Sequence, residues 1–172
     1  MEPKIAEALA ALTTGIYVLT VRAGERKHGM SSSWATKVSG NPLLLMVAVD
    51  KEHLTHQMIL QSGAFVLNIV GEKSKQLEDY FYSPASRKPD NLEGFALETG
   101  STGAPLLKDA FASIDCRLVS AHAAGDHTLF IGEVVEARLR MQDRPLTSHD
   151  LPYIYLGGNV LYDQARRRPL EV

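Results

Sequence analysis

Residues 125–134 read GDHTLFIGEV, and this stretch predicts the centre of the fold. Its first two residues favour a tight turn, and β-rich sequence lies on both sides, over 111–121 and 128–141. The pattern therefore predicts two long antiparallel strands joined by that turn. His127 stands at the exit of the turn, where its imidazole could donate to or accept from a ligand. A purely structural role for this lone histidine is the alternative.

On both sides of this hairpin the chain carries shorter patterns typical of helices and strands. Helices are predicted at 3–12, 53–60 and 74–81, where apolar residues recur at helical spacing. The shorter predicted strands are 16–21, 27–30, 43–49, 65–70, 95–98 and 153–156. Residues 31–40 are interpreted as polar and turn-prone, and most of 83–103 as a long loop. This pattern predicts a mainly β protein built as a barrel, and residues 1–172 are expected to form a single domain.

The composition is that of an ordinary globular protein, with 172 residues, 45% hydrophobic and 22% charged. Its 18 basic and 20 acidic residues give a formal net charge of −2, which argues against a nucleic-acid-binding protein. The longest apolar run, 43–49, is far shorter than the roughly 20 residues that a membrane helix needs. A single cysteine, Cys116, excludes an internal disulfide and fits a reducing compartment. We therefore expect a cytoplasmic protein with neither a nucleic-acid nor a membrane partner.

Several common site motifs are absent from the sequence. It contains neither a GxxxxGK[ST] nor a GxGxxG loop, which excludes phosphate binding by those devices. His53 and His56 would be neighbours on a helix, but no third ligand follows at metal spacing, so no metal site is expected. Cys116 lies in an apolar predicted strand and is expected to be an inert core thiol.

Residues 28–35, HGMSSSWA, place small and hydroxylated side chains directly after a predicted strand. Small side chains would let a flat ligand approach backbone N–H groups, and Ser31, Ser32 and Ser33 add hydroxyl donors and acceptors. The alternative is a serine-rich turn in which Trp34 fills the core.

Residues 50–55, DKEHLT, lie between a predicted strand and a predicted helix. Backbone donors at the helix N-terminus, together with Lys51 and the Thr55 hydroxyl, would form a cradle for a phosphate group. The alternative is an ordinary helix start with Asp50 as the capping residue.

Five segments in order resemble the flavin reductase-like proteins, the FMN-binding split barrels that serve two-component monooxygenases and related electron carriers. They are TTGIYVLT at 13–20, HGMSSSWATKVSGNP at 28–42, TGAPLL at 102–107, GDHTLFIGEV at 125–134 and PYIYLGG at 152–158. The resemblance covers nearly the whole chain, and it favours the ligand-binding interpretation of 28–35 and of His127.

This resemblance implies a six-stranded antiparallel split β-barrel with a Greek-key arrangement and a few short helices. It implies a homodimer with flavin near the interface. FMN is the expected cofactor, with FAD as the alternative, and NAD(P)H is the expected cosubstrate. A monooxygenase or another electron acceptor would be the protein partner.

Carried over residue by residue, the resemblance also implies a set of site residues. The flavin ring would lie against Gly29, Met30, Ser31, Ser32, Ser33, Trp34 and Ala35. The ribityl phosphate would lie among Asp50, Lys51, His53 and Thr55, with Arg87 and Lys88 in a variable loop that contacts phosphate or adenine in some members. His127 matches the histidine that faces the flavin and the nicotinamide, which makes it the candidate catalytic residue.

The sequence departs from the family pattern at two places. Asp50 and Glu52 stand where many members have serine or asparagine, and carboxylates beside a phosphate are unfavourable unless they point outward. Gly158 is followed by Asn159 and Val160, whereas many members carry a tyrosine two residues after this glycine.

The sequence and this resemblance together predict an FMN-binding oxidoreductase that transfers a hydride from NAD(P)H to flavin and supplies reduced flavin or electrons to a partner. Backbone N–H groups over 29–33 would stabilise negative charge on the reduced ring. Two alternatives stay open: an FMN electron carrier reduced by another protein, and a non-catalytic flavin-binding module.

Overall fold

The computed structural model describes residues 1–140 and 142–171. The helices are α1 (Pro3–Ala10), α2 (Leu54–Ser62) and α3 (Lys75–Tyr82). The strands are β1 (Tyr17–Ala23), β2 (Arg26–Ser32), β3 (Ala35–Gly40), β4 (Leu43–Asp50), β5 (Ala64–Ile69), β6 (Leu97–Thr99), β7 (Pro105–Leu107), β8 (Ala112–Ala124), β9 (His127–Leu139), β10 (Tyr153–Gly157), β11 (Val160–Asp163) and β12 (Arg168–Glu171). Short 3₁₀ turns occur at Glu72–Ser74, Pro84–Ser86 and Ser148–Asp150. Across these described ranges, no helix is long and apolar enough to cross a membrane.

The main sheet has seven antiparallel strands in the order β2-β1-β5-β8-β9-β4-β3. Its two edge strands are consecutive in the chain, because β2 ends at Ser32 and β3 begins at Ala35. The three peptide units between them span at most about 10 Å, so the sheet must curl until its edges approach. Side chains from distant strands, among them Leu19, Val47 and Phe130, meet in one buried cluster. The sheet is therefore a barrel around that core.

The predicted fold class is confirmed, but the main sheet has seven strands and not six. The difference lies in residues 31–40, which the polar pattern assigned to a turn. Ser31 and Ser32 pair with β1 instead, and Ala35–Gly40 pairs with β4. Most of β3 is exposed, and a polar run can form such a strand because one face of an antiparallel sheet is free to contact water.

β8 and β9 confirm the predicted long hairpin, with Gly125 and Asp126 as its turn. Gly125 has φ +59°, a left-handed conformation that favours glycine. The second predicted strand extended to Met141, which lies outside the described residues. At the turn end of the hairpin, the last residue of β4, Asp50, is paired with the first residue of β9, His127.

The helices α2 and α3 pack on opposite faces of β1. Met58 of α2 belongs to the same buried cluster as Leu19, inside the barrel. Phe81 of α3 belongs to a second cluster that contains Val18. Successive side chains of a strand point to opposite faces, so the two helices enclose β1 between them. Both helices also contact β2, the strand that carries part of the segment 28–35.

The long predicted loop over 83–103 is held against β2 by Asn91, which is buried. Its Oδ1 accepts from the Gly29 N–H at 2.8 Å, and its Nδ2 donates to the Gly29 carbonyl at 2.6 Å. One side chain thus replaces the backbone bonds that a neighbouring strand would make. Farther along, β6 covers 97–99 rather than the predicted 95–98 and pairs with β7.

A smaller sheet, in the order β10-β11-β12, packs against α1. Ala6 and Ala10 of α1 form a buried cluster with Ile154 and Leu156 of β10. The sequence predicted β10 but not β11 and β12, because these strands are only four residues long and β12 begins and ends with charged residues. This sheet contains most of the segment 152–158, as strand β10.

Candidate functional site

A cleft of about 1000 Å³ lies where β2, the end of β4, the start of β9, α3 and β10 come together. The loop that begins at Ser83 closes one side of it. This volume is at the upper end of the range of about 300–1000 Å³ that small-molecule and cofactor pockets occupy. The cleft is therefore the candidate binding site.

The three segments singled out in the sequence meet at this cleft. Trp34, from 28–35, packs its ring against that of His127, with 4.9 Å between the ring centroids. Asp50, from 50–55, is the strand partner of His127. All three side chains line the cleft. These segments are far apart in sequence, and the barrel is what brings them together.

The segment 29–35 forms one wall of the cleft. Gly29, Met30, Ser31, Ser32, Ser33 and Trp34 line it. Ala35 is not among the lining residues and packs against the barrel core instead. The Ser31 hydroxyl donates to Oε2 of Glu78 on α3, at 2.7 Å. This hydrogen bond joins the wall to α3.

Gly29 has a packing role in addition to its place in the wall. A Cβ atom at this position would lie 2.7 Å from Cε1 of Phe81 and 3.1 Å from Cδ2 of Leu92. Its backbone N–H and carbonyl are both bonded to Asn91. The close packing of α3 and of the loop against β2 therefore requires a glycine at this position, whether or not a ligand also approaches it.

The segment 50–55 forms a turn that opens into α2. Oδ1 of Asp50 accepts from the Glu52 N–H at 2.8 Å, so this carboxylate is turned toward its own backbone. Lys51 is exposed, and its ammonium donates to the carbonyl of Gly125 in the hairpin turn. Lys51 therefore ties the turn to the hairpin and does not line the cleft. His53 lines the cleft and is the N-cap of α2, with no side-chain capping bond.

Thr55 is fully buried in the first turn of α2 and is not among the residues that line the cleft. Its Oγ1 has no hydrogen-bond partner in the part of the chain that the structure describes. A buried hydroxyl without a partner costs about 1–3 kcal/mol. This hydroxyl is therefore an unused donor at a helix N-terminus whose cap residue makes no side-chain capping bond.

His127 is buried, and its Nδ1 lies 2.7 Å from Oδ1 of Asp126. This contact lowers the pKa of Asp126, mainly through the hydrogen bond from the imidazole. A carboxylate only accepts, so Nδ1 is the donor, and the neutral ring then carries an acceptor lone pair on Nε2. Asp126 thus fixes the tautomer of His127.

Two aromatic pairs supply flat surfaces in the cleft. Trp34 packs against Tyr155 with 5.3 Å between ring centroids, and Tyr82 stacks on Tyr153 at 4.8 Å. Gly157 allows the first pair to form, because a Cβ there would lie 3.1 Å from the Trp34 ring. Its φ of +108° is also a conformation that other residues rarely adopt. Such surfaces suit a planar ring system.

Arg87 and Lys88 lie at the rim of the cleft, on the loop after α3, and both are exposed. They bring positive charge to a rim that also carries the exposed carboxylates of Glu52 and Asp79. Their position suits a contact with an anionic group at the outer end of a ligand.

Sequence reasoning missed Glu78, which lines the cleft and is 3% exposed. Burial raises its pKa, and the hydrogen bond from Ser31 opposes that rise. A signal was present, because Glu78 falls on the apolar stripe of α3 between Leu77 and Phe81, where a carboxyl is out of place.

His28 is a second missed residue. The residue is 7% exposed and lines the cleft, and burial lowers its pKa. Its Nδ1 has no hydrogen-bond partner within the described ranges. The burial of His28 could not be predicted from the sequence, because it depends on the loop that packs over β2.

Comparison with known proteins identifies the family. The model of the flavin reductase-like domain matches residues 9–162, which is most of the chain. The chain belongs to the flavin reductase-like family. The family predicted from the ordered segments is therefore confirmed, and membership supports flavin binding and flavin reduction.

Individual flavin reductase-like relatives differ in length. The ferric-chelate reductase (NAD(P)H) of Archaeoglobus fulgidus is 30% identical over 146 residues, covering 84% of this chain and 86% of that protein. Diflavin flavoprotein A 1 of Synechocystis sp. is 30% identical over 140 residues, but that match covers 81% of this chain and only 24% of the relative. The chain thus spans about a quarter of that protein. The solved flavin reductase PheA2 in its native state is 32% identical, with a TM-score of 0.75, covering 86% of this chain and 92% of the other.

The residues at the cleft of this flavin reductase-like chain fit a flavin. The aromatic pairs and small residues suit a planar ring. Thr55 does not line the cleft, but its unpartnered hydroxyl lies two residues after His53, which does line it, at an uncapped helix start that suits a phosphate. Of the two carboxylates that made a phosphate unfavourable, Asp50 accepts from the backbone of its own turn, and Glu52 is exposed at the rim of the cleft. The unpartnered Nδ1 of His28 offers one further polar contact.

Proposed function

We propose that this chain is an FMN-binding oxidoreductase that transfers a hydride from NAD(P)H to the flavin and passes the electrons to a partner. The observation that supports it best is the convergence of Trp34, Asp50 and His127 on one cleft. The similarity to a ferric-chelate reductase (NAD(P)H), which covers 84% of this chain and 86% of that protein, supports a nicotinamide as the hydride donor.

In this proposal the chain's own residues bind, orient and shield the reactants, while FMN supplies the hydride-accepting ring when bound. The wall over 29–35 and the pair Trp34–Tyr155 hold the ring in place. His127, with Nδ1 fixed by Asp126, presents Nε2 as an acceptor that orients the amide of the nicotinamide. Holding two reactants in a near-attack geometry contributes about 7–11 kcal/mol to such a step.

The preference for FMN rests on the start of α2. Thr55 Oγ1 and the backbone N–H groups at this N-terminus would take a terminal phosphate, with His53 beside them. Asp50 and Lys51 would act indirectly, by fixing the turn and tying it to the hairpin. Arg87 and Lys88 would contact the outer phosphate of the nicotinamide cosubstrate at the rim.

The decisive experiment loads the purified protein with FMN and adds NADH or NADPH without oxygen. Loss of the yellow colour of the oxidised flavin at a rate that saturates with nicotinamide concentration supports the proposal. Retention of colour with both nicotinamides, in a protein that dithionite does bleach, contradicts it. Failure of the purified protein to bind FMN or FAD would contradict both this proposal and any other function that depends on flavin.

A second candidate is an FMN electron carrier that another protein reduces. The observation that favours it is the match to a quarter of a diflavin flavoprotein, where a segment like this chain forms part of a much longer protein. The carrier would keep its colour with NAD(P)H and lose it with a reduced protein donor. The same anaerobic titration therefore separates the two functions.

We further propose that residues 1–172 form a single domain that assembles as a homodimer in the cytoplasm. The homodimer is the assembly that the resemblance to the flavin reductase-like proteins implies. The lone buried Cys116 suits a reducing compartment. Sedimentation at a mass near twice 18.9 kDa would support the dimer, and a flavin-loaded monomer would exclude it.

A further inference from the structure

Glu78 is a buried carboxyl group that hydride transfer itself does not require. It lies on α3, lines the cleft, is 3% exposed and accepts a hydrogen bond from the Ser31 hydroxyl at 2.7 Å. Lys75, one turn earlier on the helix, pairs with Asp79 instead. Within the described residues Glu78 forms no ion pair, so its negative charge is not neutralised by a partner.

The groups around Glu78 favour its protonated form. On its own helix these are Asp79, whose charge opposes ionisation, Lys75, whose charge favours it weakly, and the neutral Tyr82. Across the cleft, β10 presents the neutral Tyr153. β2 contributes only the Ser31 hydroxyl. Burial is the largest influence, and it raises the pKa of Glu78 above that of an ordinary glutamate.

We propose that Glu78 takes up the proton that offsets the negative charge created when a flavin in this cleft is reduced. This inference rests on the proposed flavin binding. A hydride carries two electrons and one proton from NAD(P)H to the ring, leaving NAD(P)⁺ and a reduced flavin with one extra negative charge. At a pH between the pKa values that Glu78 has with the oxidised and with the reduced flavin, its carboxylate and one proton from solvent then give the neutral acid, so the cleft gains no net charge.

The physical reason is that two negative charges in one poorly solvated cleft repel each other. The second charge raises the pKa of Glu78 further, so reduction and proton uptake favour each other. Ser31 links the two events. An ionised Glu78 holds the Ser31 proton, whereas a protonated Glu78 can itself donate to Oγ and release the Ser31 hydroxyl to donate into the cleft.

The test measures the midpoint potential of the flavin-loaded protein as a function of pH, over the widest range in which the protein stays folded. Dithionite and mediators set the potential, so the measurement does not depend on NAD(P)H. Wild type should show a window in which the slope is steeper than that of Glu78→Gln by one proton per two electrons. One pH unit is a tenfold change, which for two electrons is about 30 mV.

Asp79→Asn is the matched control, because it removes the same charge one residue away from a side chain that is 61% exposed. It should keep the steeper window, moved to lower pH because the charge of Asp79 no longer opposes ionisation of Glu78. Equal slopes in wild type and Glu78→Gln would overturn the proposal, and so would an equal change of slope in Asp79→Asn. Ser31→Ala should shift the steeper window to higher pH, because it removes the bond that stabilises the ionised form.

A second measurement serves if Glu78→Gln does not fold. Carbon-13 NMR of wild-type protein labelled in its glutamate carboxyls should show one group that titrates above the usual value of about 4.3. Its titration should move to higher pH when the bound flavin is reduced. A titration that stays the same in both redox states would overturn the proposal. Loss of NAD(P)H reactivity alone would instead count against the proposed function.

Discussion

Replacing Gly29 by alanine should destabilise the protein through a clash with α3. The added Cβ would lie 2.7 Å from the ring of Phe81, well inside normal van der Waals contact. Phe81 is 4% exposed and wedged between Tyr80 and Phe95, at ring distances of 5.0 and 5.2 Å. The ring therefore cannot move aside without displacing its neighbours.

The size of the effect follows from two opposing contributions. Overpacking a buried position costs about 1–3 kcal/mol. Alanine also restricts the unfolded chain, which offsets about 0.4–1 kcal/mol of that cost. We expect a net loss of about 1–2 kcal/mol in the free energy of unfolding, or roughly 2–8 °C in Tm for a chain of this length.

Urea denaturation followed by circular dichroism would measure this loss, and Gly40→Ala is the matched control. Gly40 also lies in a strand of the barrel, but a Cβ there meets nothing within 4 Å. It should be neutral or slightly stabilising. In a Phe81→Leu background, which removes the outer ring atoms, Gly29→Ala should cost about 1 kcal/mol less than in wild type.

Two results would refute this reasoning. One is an equal cost of Gly29→Ala with and without Phe81→Leu, since the clash would then not involve that ring. The other is a Gly29→Ala variant of unchanged stability that has lost its flavin, because the glycine would then serve the ligand and not the helix. Flavin retention should be measured well below Tm.

The remaining predictions concern the site and the core. Thr55→Val should stabilise the flavin-free protein, by up to about 1–3 kcal/mol, because Oγ1 is buried without a partner, but should weaken FMN about ten- to hundredfold more than riboflavin, as measured by fluorescence quenching. His127→Ala should slow anaerobic flavin reduction by about a hundredfold in stopped flow, His127→Asn should slow it less, and His122→Ala, on the exposed part of the same hairpin, should not change it. An unchanged rate in a folded His127→Ala variant would remove this residue from the mechanism. Burial raises the pKa of Cys116 to about 12, so a thiol reagent at neutral pH should react only after unfolding, and fast labelling of the native protein would contradict the core placement.

The hairpin and the family could be predicted from the sequence because their signals are local. Gly125 and Asp126 favour a turn whatever surrounds them, and the flanking strands are β-rich over many residues. The strand β3 could not be predicted in this way. Its polar residues form a strand because β4 supplies the hydrogen bonds and because its outer face contacts water. The tendency of residues 35–40 to form a strand therefore depends on their pairing partner β4 and cannot be read from the segment alone.

The three segments of the candidate site could be predicted from the sequence, but the way in which they come together in one cleft could not. Trp34 and His127 were named separately, and only the curl of the barrel brings their rings to 4.9 Å. Lys51 is long and flexible, and its contact with the Gly125 carbonyl depends on a turn that lies 74 residues away. Glu78 was recognisable as a charge on an apolar stripe, but its partner Ser31 lies at the end of β2, in the two residues that the polar pattern assigned to a turn. The roles of these residues toward a ligand stay predictions.

Asn91 has a consequence for how this protein behaves at high concentration. β2 is an edge strand, and an edge with free N–H and carbonyl groups is a template on which strands of other molecules can add. The Asn91 amide occupies both groups of Gly29 and so blocks that edge in the middle of the strand. The same residue anchors the loop that carries Arg87 and Lys88. Any substitution that shortens this side chain would therefore both loosen the rim and open the strand to aggregation.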